Sequence, residues 1–140
     1  TDADFPIRLA TGVSPNVVKS TNILKKLLTH GMAPNEPGWL GRTYLHVYAE
    51  RNHVEAARMM LDAGADIDAI DMESGGTPLA TAVRHGCSKM ASYLIQRGAD
   101  PDVAIGPWAK PITRAEKSGR EDLVLMLKQA ESRKRRNQVE

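Results

Sequence analysis

Apolar residues recur along this chain at helical spacing, in short stretches separated by turn residues. Over 53–63 they are Val54, Ala57, Met60 and Leu61, one face of a helix. Over 88–96 they are Met90, Ala91, Leu94 and Ile95. Over 15–30 the stripe is Val17, Thr21, Leu24 and Leu28, with Asn22, Lys25, Lys26 and Thr29 left to solvent. Gly64 and Gly98 close the two middle helices, because glycine readily takes the left-handed conformation that stops one. A last helix over about 121–133 has Glu121 and Asp122 at its start and Lys128 and Arg133 toward its end, in keeping with the helix dipole. Shorter helices precede the long ones. Thr77-Pro78 joins a hydroxyl cap to a residue preset for a first turn, and 78–84 is rich in alanine. The stretch 65–76 between helix pairs holds Asp, Ser and Gly turn residues. The pattern predicts an all-α chain of four helix pairs. The longer, outer helices fall near 15–30, 53–63, 87–97 and 120–133, and the inner ones begin near Pro6, Tyr44, Pro78 and Pro111.

The helix pairs keep a beat. Gly64-Ala65-Asp66 and Gly98-Ala99-Asp100 lie 34 residues apart, and the degenerate Gly31-Met32-Ala33 lies 33 residues before the first. Thr43-Tyr44-Leu45-His46, Thr77-Pro78-Leu79-Ala80 and Lys110-Pro111-Ile112-Thr113 follow the same period. Two unrelated markers on one period indicate an internal repeat of stacked helical hairpins. One such hairpin cannot bury enough apolar surface alone, so stacking supplies the rest.

These markers resemble the ankyrin repeat. Gly41-Arg42-Thr43-Tyr44-Leu45-His46-Val47-Tyr48-Ala49, Asn52-His53, Met60-Leu61 and Gly64-Ala65-Asp66 follow that family's pattern closely. Thr77-Pro78-Leu79, Ala82, Gly86, Leu94-Ile95 and Gly98-Ala99-Asp100 follow it again. Pro111-Ile112, Ala115, Gly119, Leu123-Val124 and Met126-Leu127 keep part of it; Phe5-Pro6-Ile7, Ala10, Leu27-Leu28 and Gly31 keep less. The resemblance implies an ankyrin-repeat solenoid over 1–132, in repeats of about 3–36, 37–70, 71–103 and 104–132, followed by a basic tail at 133–140. It implies that His46 hydrogen-bonds within and between repeats. Three departures stand out. Tyr48 replaces a small alanine, so its ring must fill a widened gap or point into the groove. An extra residue in 71–76 should bulge that hairpin. Trp108 stands where the family usually has glycine.

Composition narrows the function. At 140 residues the chain amounts to one domain, 41% hydrophobic and only 4% aromatic, which suits thin helical layers packed through Ala and Leu. The single cysteine, Cys87, rules out an internal disulfide framework. No run approaches the length of a membrane span, and the acidic start Thr1-Asp2-Ala3-Asp4 does not read as a secretory signal. A cytoplasmic location is expected, with a nuclear one as the alternative suggested by Arg133-Lys134-Arg135-Arg136. The net charge of +2 is too small to imply a polyanion partner.

Catalysis finds no support. The chain has no nucleophile elbow, phosphate loop, dinucleotide fingerprint or paired-cysteine zinc signature. His30, His46 and His53 occupy repeat-linked places, and His85 with Cys87 would give two metal ligands without a third or fourth. Neither cofactor nor metal is expected. The site must then be a surface. The resemblance places it on the hairpin tips and inner helices: Trp39, Leu40 and Arg42, with Glu50 and Arg51; then Met72, Glu73 and Gly75, with Arg84 and His85; then Gly106, Pro107 and Trp108, with Lys117 and Ser118. Tryptophan is enriched at binding hot spots, and both tryptophans fall on hairpins. The structural alternative has each ring folding back over its own hairpin. The expected function is a monomeric, non-catalytic module that binds a partner protein, one with an acidic segment and an apolar anchor. The competing class is nucleic-acid binding through the basic block, which ranks lower because no aromatic residues interleave with its charges.

Overall fold

The computed structural model describes residues 21–35 and 38–139 (at Trp39, the backbone alone). Among the described residues, seven α-helices follow one another: α1 (Thr21–Thr29), α2 (Tyr44–Glu50), α3 (Val54–Asp62), α4 (Pro78–Arg84), α5 (Ser88–Gln96), α6 (Pro111–Lys117) and α7 (Glu121–Val139). Two single 3-10 turns, Trp39–Gly41 and Pro107–Ala109, lie on the hairpins. The inner helices α2, α4 and α6 stack on one another, and the outer helices α1, α3, α5 and α7 form a second, looser row. The inner helix expected near Pro6 lies outside the described residues.

Local chemistry explains where each helix starts and stops. Thr43 caps α2 in a reciprocal box with His46, and the Thr77 hydroxyl accepts from the Ala80 N–H at 3.3 Å. His53 caps α3 with its ring, accepting from the Ala56 N–H at 3.3 Å. Lys110 caps α6 with no side-chain bond. Gly64 and Gly98 end their helices at φ of +102° and +95°, as the sequence predicts. Asn52 takes φ of +57° where Gly86 and Gly119 take +70° and +72°; asparagine tolerates that region better than most residues.

Alanine makes the close approach of the inner helices possible. Ala49, Ala80, Ala82 and Ala115 are buried there, alongside Leu45 and Leu79. Leu24, Met60, Leu94, Leu123 and Leu127 fill the outer row. Leu61, on the apolar face expected to turn inward, is only half-buried, and its neighbour Met60 takes the buried slot. The adjacent apolar pair straddles the edge of the helix face, and only one member can point inward. Tyr48 is 1% exposed and fills the gap between layers. Its ring stacks on Tyr44 (6.5 Å between centroids) and meets His53 edge-on at 5.8 Å. Burial pushes its phenol pKa up to about 12.

His46 is the polar pin of the middle layers. It is fully buried; Nδ1 accepts from the Thr43 N–H at 3.2 Å, and Nε2 lies 3.1 Å from the Gly76 carbonyl, 30 residues away. One neutral tautomer, with the proton on Nε2, satisfies both bonds. Burial holds its pKa below the usual histidine value. The repeats are also stitched through their backbones. Met72 N–H donates to the Leu40 carbonyl at 2.8 Å, and Ile105 N–H to the Gly75 carbonyl at 2.9 Å. The predicted bulge in 71–76 is a tight turn, closed by Asp71 N–H to Gly76 carbonyl at 2.9 Å, with Gly75 at φ of +73°. Helix α7 runs on to Val139, past the expected end near Arg133, so the basic block is helical.

Candidate functional site

The period that builds the stack also aligns side chains. Glu50, Arg84 and Lys117 are equivalent positions at the ends of successive inner helices and form one row. Two hollows open along this row. The first, about 310 Å³, is lined by Arg42, Glu50, Asp71 and His85 among others; the second, about 540 Å³, includes Trp108, Arg114 and Lys117. Glu73, Ser74 and Arg84 line both, so the two hollows adjoin along the row.

The first hollow is neutralised from within. The Arg42 guanidinium pairs with Glu50 and, at 3.4 Å, with Asp71. His85 Nε2 lies 3.6 Å from the other Glu50 oxygen. Asp71 is 2% exposed, and its second oxygen accepts from the Glu73 N–H at 2.9 Å. Arg42, expected on the binding surface, is thus tied up by Glu50 and by Asp71, a residue outside the predicted site. Sequence alone could not separate this aspartate from the turn residues around it.

The second hollow differs. Among the described residues, none of Glu73, Arg84, Arg114 and Lys117 is in an ion pair. Arg114, also absent from the predicted site, sits at the register that Val47 and Thr81 occupy in earlier repeats. An arginine in that inner slot was the available signal. Its Nη2 donates to the Ser74 carbonyl at 2.6 Å and its Nε to the Ala109 carbonyl at 3.3 Å. Burial lowers its pKa, the positive charge of Arg84 lowers it further, and the Asp71 carboxylate opposes the fall. Trp108 is 67% exposed even though its ring folds over Gly106, where an added Cβ would lie 2.1 Å from the ring.

The remaining predicted residues scatter. Arg51 is the exposed C-cap of α2 and lines neither hollow. Leu40 and Met72 are exposed at the hairpin tips, outside both hollows, with Leu40 in the left-handed region at φ of +56°. The side chain of Trp39 lies outside the described residues. Ser118 lines the second hollow, and its hydroxyl is tied to the Ala115 carbonyl at 3.1 Å. In the basic block, Lys134 is held by Asp100 at 2.8 Å and Asp102 at 2.9 Å. Among the described residues, no group of three His, Cys, Asp or Glu side chains could hold a metal ion, and no helix is long and apolar enough to cross a membrane.

Comparison with known proteins agrees with this architecture. A family model for ankyrin repeats, in three copies, matches residues 16–105. The α6–α7 pair lies beyond that match and nevertheless stacks as a further layer. The mouse B-cell lymphoma 3 protein homolog is 42% identical over 60 residues, covering 43% of this chain and 13% of that protein. The chicken nuclear factor NF-kappa-B p105 subunit is 37% identical over 86 residues, covering 60% of this chain and 9% of its own. Mouse palmitoyltransferase ZDHHC13 is 31% identical over 96 residues, covering 65% of this chain and 15% of its own. The chain thus spans a small part of each relative's length. Repeats of this kind generally mediate protein–protein interaction. The chain belongs to the ankyrin-repeat family.

Proposed function

We propose that this chain is a monomeric, non-catalytic module that grips an extended, acidic segment of a partner protein in the groove along Glu50, Arg84 and Lys117. The observation that carries the reading is the second hollow, where cations without ion-pair partners stand beside an exposed tryptophan. An acidic side chain would answer the cations, and an apolar one would cover the indole ring. The first hollow contributes shape more than charge, because Arg42 already has its carboxylates. For the nucleic-acid alternative, Lys134 of the basic block is already engaged by two aspartates, which leaves Arg133, Arg135 and Arg136 to carry it.

The kinetics of a captured partner test this. Rim charges chiefly speed encounter, whereas a desolvated aromatic anchor slows release. Arg84→Ala should slow association and flatten its dependence on salt. Trp108→Ala should raise the off-rate, as should Trp39→Ala if that ring also faces the groove. A partner that binds the Arg84→Ala, Trp108→Ala double variant as well as the parent would place the interface elsewhere.

A further inference from the structure

We propose that the second hollow is a phosphoryl-binding pocket, which takes a phosphorylated serine or threonine side chain on the partner segment. The inference rests on the protein-binding reading above and names the chemistry of its central contact. The charged residues lining the hollow are Arg84, Arg114, Lys117 and Glu73, three cations and one anion, a formal charge of +2. A carboxylate would cancel one of those charges. A phosphorylated side chain carries about −1.5 to −2 at neutral pH and matches the pair.

Arg114 is built for such a ligand. The carbonyls of Ser74 and Ala109 hold its guanidinium in place, so little rotamer freedom remains to be lost on binding. No hydrogen bond among the described residues uses its Nη1. The carbonyls bring partial charge but no ion pair; Arg84 is near enough to repel the guanidinium, and the Asp71 carboxylate, more weakly, to attract it. A dianion between the two guanidiniums would turn that repulsion into two charge-assisted contacts. The Ser74 hydroxyl accepts from the Gly76 N–H at 3.3 Å, which leaves its own proton to donate. Lys117 supplies an exposed third cation from the end of α6. Trp108, on the rim, would cover the residue beside the phosphorylated one.

Three pools of short fluorescent peptides test this on the full chain, with phosphoserine, serine or a Glu-Glu pair at the fixed centre and mixed residues around it. Fluorescence anisotropy should show the phosphoserine pool binding at least about tenfold more tightly than the serine pool. The Glu-Glu pool should fall between them. Arg114→Gln and Arg84→Ala should each remove most of the phosphate-dependent gain. Arg84→Ala serves as the second variant in case Arg114→Gln fails to fold, and Arg133→Ala in the basic block should leave the gain intact. Equal binding of the phosphoserine and serine pools overturns the inference, as does a gain that survives Arg84→Ala. Glu-Glu binding as tight as phosphoserine reassigns the pocket to paired carboxylates. A serine pool that binds, loses affinity on Trp108→Ala and gains nothing from phosphate sinks the phosphoryl pocket alone. Failure of all three pools to bind counts against the groove reading as well.

Discussion

The middle layers and the last layer share one repeat plan and spend their polar groups differently. In the middle, His46 bridges to Gly76, Thr43 and Thr77 cap their helices, and Arg42 is matched by Glu50 and Asp71. In the last layer, Lys110 brings no cap, Thr113 occupies the histidine slot, and Arg114 leans on carbonyls with no carboxylate partner. Around His46 and Arg42 the middle is therefore internally satisfied, whereas unmatched cations gather where the last layer meets it, at Arg84, Arg114 and Lys117. The comparison suggests a division in which the middle layers supply stability and the last layer supplies most of the groove's attraction. Terminal repeats of a solenoid have one neighbour fewer, so they are freer to diverge.

The largest effect should come from the middle core. Leu79 is fully buried between inner helices, so Leu79→Ala should cost roughly 2–5 kcal/mol in denaturant melts. Leu61→Ala should cost only about 1–2 kcal/mol, because that side chain is half-buried at the edge of α3. Equal losses at the two sites would show that the buried and half-buried slots have been confused.

The polar pin should come next. His46→Ala would leave the Gly76 carbonyl and the Thr43 N–H without their partner in buried surroundings, a loss of roughly 1–3 kcal/mol. A pH signature should accompany it. The folded-state pKa of His46 is depressed, chiefly by burial, so below the ordinary histidine value the unfolded chain binds the proton more readily. Protonation would also set a new Nδ1–H against the Thr43 N–H. The stabilisation is therefore full above the unfolded pKa, near 6.5, and is lost as pH falls toward the depressed folded value. Melts between neutral and mildly acidic pH should show that slope, and His46→Gln should reduce it. An undiminished slope in the variant would move the effect to another group.

The sequence carried most of the scaffold and only part of the groove. Periodic apolar stripes, Thr-Pro caps and closing glycines are local signals, so α2 to α6 fall within a residue or so of where the pattern puts them. The row of Glu50, Arg84 and Lys117 was also legible, because a fixed repeat step aligns equivalent positions. What escaped was set by contacts between repeats. Asp71 meets Arg42 across 29 residues, and Arg114 reaches Ser74 across 40. Neither pairing leaves a local pattern. The length of α7 escaped for the same reason, since its basic end gives a weak helical stripe and the aspartates that hold Lys134 lie in the preceding repeat.

The smallest effect should be at that clamp, and it tests whether the last layer is coupled to the middle. Lys134 donates to Asp100 and Asp102, while Asp100 N–H in turn donates to Asp68 Oδ1 at 3.0 Å. These aspartates repel one another; burial raises the pKa of Asp68, and the charges of Asp100 and Asp66 add to the rise. Lys134 sits where a cation offsets that repulsion and fastens the end of α7 to the loop after α5. The pair is solvent-accessible, so Lys134→Ala should cost less than about 1 kcal/mol globally. Its effect should be local, with faster amide exchange in α7 beyond Ala130 and little change in α2 and α4. High salt should weaken the clamp in the parent and leave the variant nearly unaffected. If exchange also rises across α4, the last layer braces the middle, and the proposed division between a stable middle and a receptive end fails.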